Sequence, residues 1–165
     1  KILRHICNTA GIERYPGAQF DMVRLGIGLY GIDPFTNQII HNVSTLKTTI
    51  LQIHEVPKEE TVGYSRKGHL ERDSRIDAIP IGLNRRLGNG HAYCLVNGQK
   101  APYVGNICMD VCMIDVTDID CKEGDKAIIF GDDLPVTVLS EILETIPYEI
   151  LTSVSNRVKR VYYQN

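Results

Sequence analysis

The sequence contains no run of about 18 apolar residues, so it holds no candidate membrane-spanning helix. Its first residues, Lys1-Ile2-Leu3-Arg4-His5, lack the apolar stretch and small-residue cleavage site of a signal peptide. There is no initiator Met, and the expectation is a piece of a longer chain. Positive charge is not in excess: 18 Lys and Arg stand against 20 Asp and Glu, for a formal net charge of −2. No basic field of the kind nonspecific nucleic-acid binding needs is therefore expected. The five cysteines are odd in number and irregularly spaced, which argues against a secreted disulfide framework. Cys108 and Cys112 have no second Cys or His pair nearby to complete the roughly four ligands of zinc. No metal site is expected, and the cysteines read as buried, reduced residues of a cytoplasmic protein.

What is present is an ordinary globular composition, 43% hydrophobic and 23% charged over 165 residues. That length allows one domain, or one domain with a fragment of another. Residues 1–34 differ in texture from the rest, and their apolar, glycine-bearing run from Val23 to Gly31 predicts a buried strand passing into a tight turn or helix start. Residues 33–42 read as a connector, with a domain boundary nearby. Beyond it, strands are predicted over Val43–Val56, over Ile76–Ile81 with Pro80 at an edge, and over Lys126–Phe130. Ala92–Val96 and Ala101–Val104 flank Asn97-Gly98, the strongest short hairpin signal, because both turn positions need positive φ. Asn106–Val116 reads as a strand with Ile107, Met109, Val111 and Met113 on one face. Val138, Leu139, Ile142, Leu143 and Ile146 follow helical spacing, with Thr137 as cap and Pro147 just past the end. A short helix over 148–155 and a last strand over 157–163 complete a mostly antiparallel β domain, barrel or sandwich.

Four places invite chemistry. Arg24 is a lone charge in an apolar run, with His5 as a candidate partner; a structural ion pair is the favoured reading of these residues alone. Tyr64, in Val62-Gly63-Tyr64-Ser65-Arg66, would serve as acid or base if nearby positive charge lowered its pKa from about 10. The bland alternative is a strand-end Tyr with a wet hydroxyl. Gly105 in Val104-Gly105-Asn106-Ile107-Cys108-Met109-Asp110 permits close backbone approach, and Asp110 is a charge among apolar residues, or simply an outward side chain on a bulged strand. Tyr148 sits at a helix boundary where free N–H groups meet anions, or packs on the core. No spacing rule joins the four into one mechanism.

At these same residues the chain resembles the C-terminal part of bacterial alanine racemase, a family that uses pyridoxal 5′-phosphate (PLP). The matching motifs include Asn8-Thr9-Ala10, Met22-Val23-Arg24-Leu25-Gly26-Ile27, Leu29-Tyr30-Gly31, Val62-Gly63-Tyr64-Ser65-Arg66, Pro80-Ile81-Gly82, Val104 to Asp110, Asp115-Val116-Thr117 and Tyr148 to Thr152, in family order along nearly the whole chain. The resemblance implies a mainly β, barrel-like C-terminal domain over 41–165, with residues 1–40 the last segment of a PLP-binding (β/α)8 barrel. It also implies a cytoplasmic homodimer whose active sites are shared between subunits, and a role in making D-alanine for peptidoglycan.

The resemblance assigns roles by position. Tyr64 matches the catalytic base that takes the α-proton of the L-amino acid. Arg24 matches the Arg that hydrogen-bonds the PLP ring nitrogen, where a group that keeps its proton limits the cofactor's electron sink. His5 matches its brace. Thr9, Gly26, Ile27 and Tyr148 match the groups that hold the phosphate. Met109 matches the backbone N–H at the substrate carboxylate, and Asp110 a neighbour at the substrate entrance.

Three departures stand out. No Lys matches the family's Schiff-base Lys, so this chain alone should not racemise anything. The family's Tyr-containing entrance motif is missing where Gly82 runs into Leu83, as if a stretch were skipped. Ser65 replaces a commoner Gly. Competing expectations are a racemase of serine or another small amino acid, a non-catalytic dimerisation module, and, more distantly, a fold-related decarboxylase. A ligase fused upstream is a further expectation.

Overall fold

The computed structural model describes residues 2–82 and 91–163. The chain forms two compact units, residues 1–45 and 46–165.

In the first unit, a short helix α1 (Thr9–Arg14) is capped by Asn8, whose side chain accepts a hydrogen bond from the Gly11 N–H at 3.0 Å. The segments around 4–7 and 21–24 run side by side in one direction: the Asp21 N–H donates to the Arg4 carbonyl (3.1 Å) and the Arg24 N–H to the Cys7 carbonyl (2.8 Å). Two backbone bonds do not make a ladder, and the strand predicted within Val23–Gly31 is absent. Met22, Val23 and Leu25 are instead exposed. Ile27–Tyr30 forms a 3₁₀ turn ended by Gly31 at φ +69°. Gly31 is required there twice over, since a Cβ would also fall 1.7 Å from the His41 carbonyl oxygen.

In the second unit, the described residues form nine strands: β1 (Leu46–Thr49), β2 (Gln52–Val56), β3 (Thr61–Val62), β4 (Gly68–His69), β5 (Ser74–Ile79), β6 (Tyr93–Val96), β7 (Gln99–Val104), β8 (Cys112–Asp115) and β9 (Lys126–Phe130). Seven of them make one sheet in the order β1-β9-β6-β7-β8-β5-β2, antiparallel throughout. Its two edge strands are consecutive in the chain. At the junction the Ile50 N–H donates to the Asp125 carbonyl (2.9 Å) and the Leu51 N–H to the Ala78 carbonyl (3.0 Å). One stretch of chain thus passes from the β9 side to the β5 side, which curls the sheet into a mainly β, half-barrel domain. Ile79, Cys94, Val96, Ala101, Cys112, Ile114 and Ala127 are fully buried in its core.

The hairpin at Asn97-Gly98 forms as predicted, with φ of +49° and +78°. Other expectations need correction. β5 is an interior strand, and Pro80 lies one residue past its end, where no ladder donor is required. Residues 106–111 are loop: Gly105 turns the chain at φ +70°, and the Cys108 N–H closes onto the Val111 carbonyl (3.0 Å). β8 starts only at Cys112, with Cys112 and Ile114 buried rather than Met113. Helix α2 (Val136–Ile142) has Pro135, not Thr137, at its cap position, and stops early because Glu144 turns left-handed at φ +52°. Pro147 opens the next helix, α3 (Pro147–Ser153), where its missing N–H costs nothing. Residues 157–163 form no strand; the Val158 N–H turns back to the Ser155 carbonyl. Among the described residues no helix is long and apolar enough to cross a membrane.

Candidate functional site

Tyr64 stands at the tip of the β3–β4 hairpin, and backbone geometry puts it there. Gly63, Ser65 and Arg66 all take left-handed φ, at +77°, +60° and +55°. For Ser and Arg that conformation costs about 1–2 kcal/mol each, so the turn needs support. The support is a seam of glycines. A Cβ at Gly68 would lie 2.6 Å from the Val62 carbonyl oxygen, and one at Gly105 2.5 Å from the same atom. The hairpin therefore lies backbone against backbone on the start of the 105–111 loop. The Asn106 amide donates to the Tyr64 carbonyl (3.1 Å), and the Arg66 Nε donates to Thr61 Oγ1 (3.3 Å). Beneath, Val62, Leu70 and Ile76 form a small apolar cluster with Val56, Val104 and Met113 packed on it. The Tyr64 side chain itself is 70% exposed.

The same loop carries Met109 and Asp110. Met109 is 86% exposed. Asp110 pairs with Arg157. Both are exposed, so the pair adds at most about 1 kcal/mol and mainly orients the two side chains. They border a groove of about 400 Å³ whose walls include Lys47, Ile81, Gly82, Met109 and Val158. Tyr148 occupies the second position of α3 and is 40% exposed; its carbonyl accepts from Thr152 Oγ1 (2.8 Å).

In the first unit, Thr9 Oγ1 accepts from the Gly26 N–H at 2.9 Å and, more weakly, from the Gly28 N–H at 3.4 Å. Ile27 opens the 3₁₀ turn, where N–H groups lack an intrahelical partner. Neither this turn nor the start of α1 holds an acidic residue. A hydroxyl and several N–H groups without a competing carboxylate suit a phosphate, so the residues present fit the PLP that the resemblance implies. Arg24 is exposed rather than buried, and its guanidinium donates to the Ile6 carbonyl (3.0 Å), not to His5. A planar guanidinium has donors to spare beyond that one bond.

Structure thus brings Thr9 together with Gly26, and links Tyr64 through Asn106 to the loop of Met109 and Asp110. It does not join His5 to Arg24. The Gly82–Leu83 junction lies outside the described residues. All five cysteines are free, and no group of three or more His, Cys, Asp or Glu among the described residues is arranged to hold a metal.

Sequence reasoning missed Asn106 and one buried acid, Asp77. Asp77 is fully buried on β5, in register with Ile53 and Ile114, and neither carboxylate oxygen makes a well-directed hydrogen bond. Burial pushes its carboxyl up to about 6, against a partial pull from the Gln52 and Ala78 N–H groups. Burial also pushes the Cys94 thiol up to about 12 and raises Cys112 and the Tyr103 phenol. This interior is a stability feature; its thiols stay protonated and unreactive.

The sequence profile of the alanine racemase C-terminal domain matches residues 43–162, and that of the alanine racemase N-terminal domain matches residues 1–34. An alanine racemase of Clostridium novyi is 41% identical over 177 aligned positions, covering 98% of this chain and 46% of that protein. The crystal structure of alanine racemase from Bacillus anthracis with bound L-Ala-P superimposes with a TM-score of 0.87 at 30% identity, covering 99% of this chain and 45% of that one. That of Bartonella henselae alanine racemase with covalently bound pyridoxal phosphate gives 0.84 at 34% identity, over 99% and 47%. The chain spans about half the length of the relatives it matches.

Proposed function

The chain belongs to the alanine racemase family, and from that premise we propose that it is the C-terminal part of a PLP-dependent enzyme that interconverts L- and D-alanine. The division of the chain into compact units after Thr45, together with the profile boundaries at 34 and 43, supports a reading of residues 1–40 as the end of the barrel and 41–165 as the β domain. The relatives with bound L-Ala-P and with pyridoxal phosphate support an amino acid substrate and a PLP cofactor. Alanine is preferred over serine because the relatives matched are alanine racemases.

The carrying observation is the presentation of Tyr64. A phenol 70% exposed at the tip of a hairpin with three left-handed residues is built for contact, not for packing. When bound, PLP supplies an electron sink that acidifies the substrate's α-C–H. Tyr64 removes that proton from the L face and returns it in the reverse direction. The Met109 N–H meets the substrate carboxylate, and Asp110 lines the approach to it. Thr9 and the Gly26 and Ile27 N–H groups would hold the phosphate, a role the resemblance also gives to Tyr148. Arg24 would donate to the ring nitrogen without giving up its proton, braced by its bond to the Ile6 carbonyl. The Schiff-base Lys comes from outside this chain. The whole protein is read as a cytoplasmic homodimer with shared active sites, supplying D-alanine for peptidoglycan.

The test uses the full-length parent with PLP, following L- to D-alanine conversion beside Tyr64→Phe. Loss of at least about a hundredfold in kcat, with PLP still bound, is expected for a lost general base. A parent that binds PLP and leaves alanine untouched would overturn the substrate; a fully active Tyr64→Phe would overturn the base.

A further inference from the structure

We propose that Asn106 is a positioning residue for the proton transfer, holding Tyr64 through its backbone. The inference rests on the reading of Tyr64 as the base. Four observations carry it. The hairpin that bears Tyr64 has only two residue pairs, Thr61 with His69 and Val62 with Gly68. Its turn contains two adjacent left-handed residues that are not glycine, Ser65 and Arg66, a conformation that relaxes unless its surroundings hold it. The glycine seam at Gly68 and Gly105 brings the neighbouring loop into backbone contact, which lacks the direction of a hydrogen bond. The side-chain amide of Asn106 supplies that bond, to the Tyr64 carbonyl at 3.1 Å.

The acceptor is a carbonyl oxygen, which cannot donate, so the Asn106 side chain must turn its NH₂ toward it. The amide orientation is thereby fixed by chemistry. Asn106 is also three residues before Met109 in the same loop. One side chain therefore ties the residue that moves the proton to the loop that meets the substrate carboxylate. An error of about 1 Å in such a distance costs up to about a hundredfold in rate.

The experiment compares the full-length, PLP-loaded parent with Asn106→Leu, which keeps the volume and loses the donor, and with Tyr64→Phe. Enantiomers have equal free energies, so kcat/KM must fall equally in both directions and cannot itself locate the fault. Isotope effects can. In Asn106→Leu we expect kcat to fall about ten- to a hundredfold with KM little changed. The effect of α-deuteration should rise for L-alanine, where Tyr64 removes the proton. It should shrink toward unity for D-alanine, where Tyr64 acts only in the later step. Hydrogen exchange should quicken in residues 61–69 while the melting temperature and PLP content stay at parental values.

Unchanged kcat and unchanged exchange in Asn106→Leu overturn the proposal. So does a loss of rate that follows falling melting temperature and PLP content, with both isotope effects unaltered. If Tyr64→Phe is itself fully active, the reading of the base has failed, a result separate from the behaviour of Asn106.

Discussion

Gly82 and Met109 touch backbone to backbone: a Cβ on Gly82 would stand 1.6 Å from the Met109 carbonyl oxygen and 2.9 Å from the Asp110 nitrogen. No side chain can be accommodated there without moving the loop, because the atoms met are backbone and not the end of a flexible side chain. Gly82→Ala should therefore displace Met109 and Asp110 and overpack the site by about 1–3 kcal/mol. In the full-length parent the expected result is a raised KM for alanine, since the displaced N–H is the one assigned to the carboxylate, with a modest fall in melting temperature. An unchanged KM would remove the Met109 loop from substrate binding.

Asp77 predicts a pH dependence opposite to that of most carboxylates. Its folded value of about 6 lies above the ordinary 3.8, so the folded state holds the proton more tightly than the unfolded chain. The stabilisation is complete below the unfolded value and is lost as pH rises toward about 6. At about 1.4 kcal/mol per pH unit, the loss is of the order of 2–3 kcal/mol. Glu123 adds repulsion, and the thiols of Cys94 and Cys112 remain neutral throughout. Asp77→Asn should remove this component: the gap between parental and variant melting temperatures should change between pH 4 and pH 7, in favour of the variant at the higher pH. A gap independent of pH would mean that Asp77 titrates like an exposed carboxylate.

What could be read in the sequence followed from residues with one physical use. Asn97-Gly98 needed two positive φ values and marked its hairpin. What misled were side chains whose surroundings lie elsewhere in the fold. Ile107, Met109 and Val111 alternate as in a strand, yet Met109 is displayed to solvent on a loop that Gly105 turns. Arg24 sits among apolar neighbours that are themselves exposed, so it is not buried with them. Asp77 looks like an outward residue beside Ile76, but both are buried. Ile76 lies in the cluster under the β3–β4 hairpin, while Asp77 faces the other side of a central strand. Asn106 could not be found from spacing, because its partner is a carbonyl 42 residues away.

Arg75 makes the last prediction. Its guanidinium donates to two carbonyls, of Ile119 at 3.1 Å and Cys121 at 3.0 Å, and its Nε lies 3.7 Å from a Glu55 carboxylate oxygen. Glu55 is largely exposed, so the ion pair is worth little. The two carbonyl bonds matter more, because they tie the 117–121 segment to the interior strand β5. A fork of fixed donors reaches both carbonyls at once; a Lys ammonium is a point charge on a flexible stem and cannot reproduce the pair. Arg75→Lys should therefore cost about 1.5–3 kcal/mol in urea unfolding, the range for a charged hydrogen bond lost, whereas Glu55→Gln should cost less than about 1 kcal/mol. If the two variants lose equal stability, the ion pair and not the carbonyl fork is what holds that segment.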